Sequence, residues 1–339
     1  MKERGDWSNN KKPLTILITG GSSGIGFQAV LKLISHGHNI ILPCRNISRA
    51  NEVMTNIFNQ LPCDLTKKGI IYTPVMDLSD LYSIDSLCTE IKKKRLNIDV
   101  LILNAGLQYT GSKRPMRSSQ GLELTFAVNH LSHFYLTQNL LPLINRSNDS
   151  KIIITSSEVH NPKSSGGKVG AKASLGKLAG LASGEEFDMI DGSQFNADKA
   201  YKDSKLCNIL FAKELSNQLK KKSLQIKVIA WAPGLVIPRD SHGFFRYSRK
   251  YNQLGQILFS FLARDLLRIT TSNEKAGILL SELVCSSKYN KSEFNFYSNK
   301  LISLGKFVFE KTNISEEANR EGLSKRLWDL SKSLVESKS

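Results

Sequence analysis

Runs of apolar, largely β-branched residues recur along the first two-thirds of the chain, and stretches with helical apolar spacing separate them. The runs are LTILITG at 14–20, NIILPCR at 39–45, IIYTPVMDL at 70–78, IDVLILNAG at 98–106, KIIITSS at 151–157 and QIKVIAWAPG at 225–234. They are apolar almost throughout rather than at alternate positions, the pattern of strands covered on both faces. Strands of that kind, alternating with helices, form a parallel sheet with helices on either side. The predicted fold class is therefore α/β, a doubly wound parallel sheet of the Rossmann type. No repeat or linker interrupts the alternation, so one domain is expected over 14–335, after a polar tail at 1–13.

Two inserts break the pattern. Residues 158–199 are rich in Gly, Lys and Ser, and residues 235–275 hold HGFFRYSRKY followed by an apolar helical stretch. Loops this long are usually functional or disordered. In the second insert Leu254, Ile257, Leu258, Phe261 and Leu262 share one helical face. Core packing is the commoner fate of such a face; covering a large ligand or docking on lipid is the other. Phe244 and Phe245 are candidates to line a pocket.

The formal charge of +17 calls for an anionic partner or a structural reason. The basic runs KKKR at 92–95 and KKK at 220–222 fall at helix ends, where cations suit the carbonyl end of the dipole. No nucleic-acid-binding signature accompanies the charge, so no nucleic acid is expected. A peripheral contact with an anionic membrane remains open, as does a homo-oligomer. No run is long enough to span a bilayer. The N-terminus lacks the apolar core of a secretory signal. Cys44, Cys63, Cys88, Cys207 and Cys285 are scattered, with no metal-ligand spacing. Reduced thiols in a cytoplasmic setting are the expectation, and no metal is expected.

TGGSSGIG at 19–26 joins the first strand to the first helix. Glycines let backbone approach a pyrophosphate, and the helix N-terminus offers free N–H groups to its charge. Gly20, Ser22, Ser23, Gly24, Ile25 and Gly26 are thus candidate dinucleotide contacts. An acidic residue after the second strand would bind the ribose of NAD; Arg45 and Asn46 stand there instead. A guanidinium matches a phosphate, so NADPH is favoured. Asp77, with Leu78 beside it, is placed to meet the adenine, and Asn104, Ala105 and Gly106 close the fourth strand beside it. Pro233 and Gly234 close the sixth.

In AYKDSKLCN, Tyr201 precedes Lys205 by one helical turn, which puts both on one face. Together with the glycine loop and NAG at 104–106, this resembles the short-chain dehydrogenase/reductase family over residues 14–235. The resemblance implies that Tyr201 is the proton donor or acceptor and that Lys205 lowers its pKa and binds the nicotinamide ribose. It further implies that Ser157 positions the substrate and that Asn129 supports a water. A phenol with pKa about 10 needs such a cation to work at neutral pH.

Ser157 and Tyr201 stand 44 positions apart, far more than in ordinary members of that family. The intervening HNPKSSGGKVGAKASLGKLAGLASG, the AYKDSKLCN signature, CRN after strand two, NHLSHFYLTQNLL, SNEKAGILLSELV and RLWDLSKSLV resemble the light-dependent protochlorophyllide oxidoreductase group. That resemblance implies an NADPH-dependent, light-driven reduction of protochlorophyllide, with a site peripheral to a thylakoid membrane. Three positions depart from the group. Leu235 and Leu103 stand where cysteines are usual, and Ser157 where threonine is typical. A dark reductase or dehydrogenase for the carbonyl or alcohol of another hydrophobic substrate is the alternative. A non-catalytic NADPH- or pigment-binding protein is a third, against which the complete Tyr201, Lys205, Ser157 and Asn129 set argues.

Overall fold

The computed structural model describes residues 12–62, 68–145, 147, 149–184, 186–237, 246–251, 253–267, 269–291 and 293–338. Phe244, Phe245, Cys63 and the side chain of Leu258 lie outside the described residues. In chain order the elements begin β1 (Thr15–Ile18), α1 (Gly24–Ser35), β2 (Asn39–Ile41), α2 (Ile47–Gln60), β3 (Ile71–Tyr72), α3 (Leu81–Lys93) and β4 (Val100–Leu103). One continuous helix follows, as α4 (Leu124–Phe126), a π turn at Ala127–Leu131 and α5 (Ser132–Leu140). Then come β5 (Lys151–Thr155), α6 (Ala179–Ala182), α7 (Ala197–Lys221) and β6 (Lys227–Ala232). The remainder is α8 (Arg246–Tyr251), α9 (Gln253–Ser260), α10 (Asn273–Cys285), β7 (Asn295–Ser303), β8 (Lys306–Lys311), α11 (Glu316–Asn319) and α12 (Leu323–Lys338).

The strands form one sheet in the order β3-β2-β1-β4-β5-β6-β7-β8. All neighbours pair in parallel except β7 with β8, which are antiparallel. The expected doubly wound sheet is therefore present, with two further strands. Successive side chains of a strand point to opposite faces, and here both faces are apolar. Leu17, Leu101, Leu103, Ile152 and Ile154 join the core on one side, with α3, α5, α7 and α12. Ile16, Ile18, Val100, Ile102 and Ile153 join the core on the other, with α1, α2 and α10. Each such side chain taken from water contributes roughly 1.5–3 kcal/mol, which is why these strands tolerate no alternation.

One expectation changes and two open ones are narrowed. The third strand is only Ile71–Tyr72, beyond which a single bridge joins Cys44 to Val75; Pro74 has no N–H to continue a ladder. The 158–199 insert is packed into the fold. Its Ala173, Leu175, Leu178, Leu181, Phe187 and Ile190 are buried in the core beside α7. The apolar face of α9 is not core: Leu254 is 83% exposed, Ile257 59% and Phe261 55%. The basic runs do close helices, with Lys92 and Lys93 in the last turn of α3 and Lys220 and Lys221 in that of α7. Among the described residues no helix is long and apolar enough to cross a membrane, no three His, Cys, Asp or Glu side chains group as metal ligands would, and Cys44, Cys88, Cys207 and Cys285 form no disulfide.

Candidate active site

The carboxyl ends of β1, β4, β5 and β6 open into a cleft of about 1450 Å³. This is where an open α/β sheet receives its ligands, on either side of the point where strand order reverses. The glycine loop after β1 forms its floor. Gly20 has φ +67°, and a Cβ on it would lie 2.7 Å from Ala105 Cα. A Cβ on Gly26 would lie 2.4 Å from the Gly20 carbonyl oxygen and 2.8 Å from Asn104 Nδ2. Only glycine lets the loop, the first turn of α1 and the end of β4 approach this closely. Asn104 locks the arrangement, donating from Nδ2 to the carbonyls of Thr19 at 3.2 Å and Gly20 at 3.3 Å. Ser23 caps α1 by position but makes no side-chain cap bond, so no side chain of its own competes for the N–H groups of the first turn. Ser22, Ser23, Gly24 and Ile25 line the cleft with Gly20 and Gly26.

The second βα turn brings in Arg45, Asn46, Asp77 and Leu78, which also line the cleft. Asn46 accepts a bond from Arg49 N at 2.8 Å and so begins α2. Arg45 Nε lies 3.4 Å from Asp77 Oδ2. Oδ1 of the same carboxylate accepts from the backbone N and hydroxyl of Ser79, each at 2.8 Å. A second arginine, Arg49, donates from Nη2 to the Ser22 carbonyl at 2.6 Å and pairs through Nη1 with Glu52 at 2.6 Å. Arg49 was not among the sequence candidates. Its signal was the Asn46 cap, which places Arg49 in the first helical turn, facing the glycine loop.

Tyr201 and Lys205 project from α7 beside the end of β5. The Ser157 hydroxyl hydrogen-bonds the Tyr201 phenol and accepts from Val159 N at 3.4 Å, capping the turn Glu158–His160. Lys205 Nζ lies 5.7 Å from the centre of the Tyr201 ring and donates to the Thr155 carbonyl at 3.3 Å. Burial drives the Tyr201 phenol well above its ordinary pKa; the Ser157 bond opposes this and Asp198 adds to it. Burial also lowers Lys205 to about 8. At neutral pH the phenol thus carries its proton and most of the lysine carries its charge.

Asn129 sits in the π turn, the kind of irregularity that often marks functional positions. It is fully buried. Its Oδ1 accepts from Leu107 N at 2.8 Å, and its Nδ2 donates to the Leu107 carbonyl and the Ser204 hydroxyl, both at 3.0 Å. The side chain therefore ties the loop after β4 to α7 from behind the cleft wall. Gly106 separates it from the lysine, for a Cβ there would lie 3.4 Å from both Asn129 Oδ1 and Lys205 Nζ. Thr155 is the hub beneath. Its hydroxyl accepts from the Trp231 indole at 2.9 Å and donates to Asn104 Oδ1 at 3.3 Å. Its carbonyl also accepts from Asn208 Nδ2 at 3.1 Å.

Pro233, Gly234 and Leu235 form the wall after β6. Gly234 has φ +84°, and a Cβ on it would lie 2.9 Å from the Asn299 carbonyl. Leu103, the other departure from the resembled group, is buried in the core and lines no part of the cleft. The β7–β8 hairpin, which the sequence reading passed over, contributes Asn299, Leu301 and Phe307, and α8 contributes Arg246 and Tyr247.

Residues 14–175 match the sequence model of the family described as short chain dehydrogenase. The chain is 31% identical over 328 residues to the chloroplastic protochlorophyllide reductase of Marchantia paleacea, covering 94% of this chain and 67% of that protein. It is equally 31% identical over 328 residues to the chloroplastic protochlorophyllide reductase of Cucumis sativus, covering 95% and 77%. Among solved structures, an uncharacterized protein from Mycobacterium Paratuberculosis aligns over 97% of both chains with TM-score 0.66 and 22% identity. The L-sorbose reductase from Gluconobacter frateurii complexed with NADPH and L-sorbose aligns over 84% of this chain and 95% of its own, with TM-score 0.57 and 18% identity. At such identities the structural likenesses bear on the fold.

Proposed function

We propose that this chain, which belongs to the short-chain dehydrogenase/reductase family, is an NADPH-dependent oxidoreductase that reduces protochlorophyllide or a flat, apolar molecule of similar size. The observation that carries the reading is the Ser157–Tyr201 hydrogen bond beside the Lys205 ammonium, in one cleft with the glycine loop. The residues present fit the cofactor. Gly20 and Gly26 leave room for a pyrophosphate and for nothing on their own Cα atoms. Arg45 and Arg49 stand at the adenosine end, where a 2′-phosphate needs cations. When bound, NADPH supplies the hydride, which for protochlorophyllide goes to C17 of the D ring.

The chain's own residues manage the proton. Tyr201 is protonated at neutral pH and delivers its phenolic proton to the substrate, at C18 in protochlorophyllide, where light absorbed by the pigment drives the reaction. Ser157 holds the phenol in line and stabilises the oxygen once the proton has left. The Lys205 charge favours the same phenolate, and the buried surroundings strengthen that attraction. Asn129 keeps the Leu107 loop and α7 in register, so that Tyr201 and Lys205 face the cleft. The exposed Leu254, Ile257 and Phe261 on a chain of charge +17 fit a peripheral contact with an anionic membrane.

Leu235 favours a second reading. It puts an alkyl group on the cleft wall where the resembled group has a thiol, while the Ser–Tyr–Lys set of a dark carbonyl reductase is complete. Mixing the protein with NADPH and protochlorophyllide in the dark, then illuminating, separates the two. A red-shifted chlorophyllide band that forms only in light and is lost in Tyr201→Phe supports the first. Failure to bind or convert the pigment, with NADPH-dependent reduction of a hydrophobic carbonyl in the dark, supports the second.

A further inference from the structure

The cations that line the cleft differ in how they are satisfied. Arg45 faces Asp77, Arg49 faces Glu52 and Lys202 faces Asp198. Arg117 pairs with Asp188. Lys205 belongs to the catalytic pair. That leaves Arg246, which among the described residues has no carboxylate partner. Its guanidinium lies over the Tyr247 ring, 4.4 Å from the centre, and donates from Nη2 to the Tyr247 hydroxyl at 2.7 Å.

Arg246 is also held in place. Tyr247 packs on the cluster formed by Leu107, Leu124 and Val128, and the Ser248 hydroxyl donates to the Gln108 carbonyl at 3.4 Å. Helix α8 is thereby moored to the loop that follows β4. The apolar lining of the cleft includes Met116, Leu235, Val236, Ile269, Leu301 and Phe307. A half-buried guanidinium stacked on an aromatic ring keeps its planar fork of donors, which matches a carboxylate.

We propose that Arg246 anchors the carboxylate of an amphipathic substrate whose flat apolar body lies against this wall. The proposal takes the cleft's assignment to a large apolar substrate from the proposed function, but it does not depend on which one. Arg246 is a positioning residue. It selects acids over their neutral counterparts and sets the depth at which the ring system meets Tyr201.

The test uses two fluorescent probes that share a flat body, pyrene-1-butyrate and pyrene-1-butanol, titrated into the full chain saturated with NADPH. The expected result is that the wild type binds the butyrate about tenfold more tightly, the size of one charge-assisted hydrogen bond. Arg246→Gln is expected to bind both probes alike with the butanol affinity unchanged, and Arg246→Lys to keep part of the preference. An unchanged NADPH Kd establishes that each variant is folded; if Arg246→Gln fails this, the wild type and Arg246→Lys decide. Equal affinities in the wild type, a preference that survives Arg246→Gln, or binding of neither probe overturns the assignment. A butyrate preference that depends on Arg246, in a protein that leaves protochlorophyllide unconverted, refutes the light-driven reading and upholds the role of Arg246.

Discussion

Replacing Thr155 with valine preserves the shape of a buried side chain and removes one hydroxyl. That hydroxyl is the acceptor for the Trp231 indole N–H at 2.9 Å and the donor to Asn104 Oδ1 at 3.3 Å. Trp231 is fully buried, so its N–H has no water to turn to, and stranding it costs about 1–3 kcal/mol. Asn104 is half-buried and can find water. The added methyl returns about 0.8 kcal/mol, leaving a net loss of up to about 2 kcal/mol. An unfolding entropy of about 2.1 cal/mol/K per residue over 339 residues turns this into a fall in Tm of up to about 3 °C. Thermal unfolding of Thr155→Val, Trp231→Phe and the double variant measures it. The coupling between the two sites should be about 1 kcal/mol, because without the indole there is no donor to strand. Lys205 and Asn208 bond the Thr155 carbonyl rather than its hydroxyl, so the pH dependence of turnover should not move. An equal cost of Thr155→Val in both backgrounds would mean that the indole N–H is not stranded when the hydroxyl is lost.

Three further outcomes follow from the site. Gly26→Ala drives a methyl to within 2.4 Å of the Gly20 carbonyl; calorimetric titration should show NADPH binding weakened at least about tenfold, and an unchanged Kd would mean the loop does not hold the pyrophosphate. Tyr201→Phe removes the proposed proton donor and should slow turnover by at least about a hundredfold, with NADPH affinity kept within a few-fold. Lys205 is charged below its pKa of about 8 and neutral above it, so kcat/KM should fall as pH rises through that value; a plateau up to about pH 10 would show that its charge is not needed.

The parallel sheet was legible because β1, β4, β5 and β6 are buried on both faces and cannot hide their composition. β7 and β8 were not. Only the first half of β7 is buried; Leu301, Ile302 and Leu304 emerge at the hairpin tip and β8 lies at the sheet edge, so NFYSNKLISLGKFVFEK has no clear period. The glycine loop, Tyr201, Lys205 and Ser157 could be placed because their spacing is local or repeats a known set. Arg49 could have been placed from the Asn46 cap three residues before it, whereas Arg246 reaches the cleft through tertiary packing, which leaves no periodic trace. Asn129 was legible as a position, but its three bonds to Leu107 and Ser204 depend on a π turn that nothing in AVNHL announces. The apolar face of α9 shows the limit from the other side, since its spacing is that of a core helix and its surroundings are solvent.

The 158–199 segment is tied to the polar side of α7 by two lysines. Lys199 Nζ reaches the Ser174 carbonyl at 2.7 Å, Asp191 at 2.8 Å and Asp203 at 2.5 Å. Lys202 reaches the carbonyls of Val169 and Ala171. These two lysines flank Tyr201, so the helix that presents the proposed proton donor is also the spine to which the segment is sewn. The segment is therefore hard to remove. Excising it would strip six core side chains from the fold, five of them Leu, Ile or Phe and each of those worth roughly 1.5–3 kcal/mol, and would leave Lys202, now only 4% exposed, without its carbonyl partners one residue from Tyr201. Substitutions on the other walls of the cleft should therefore be tolerated far more readily than any shortening of this segment.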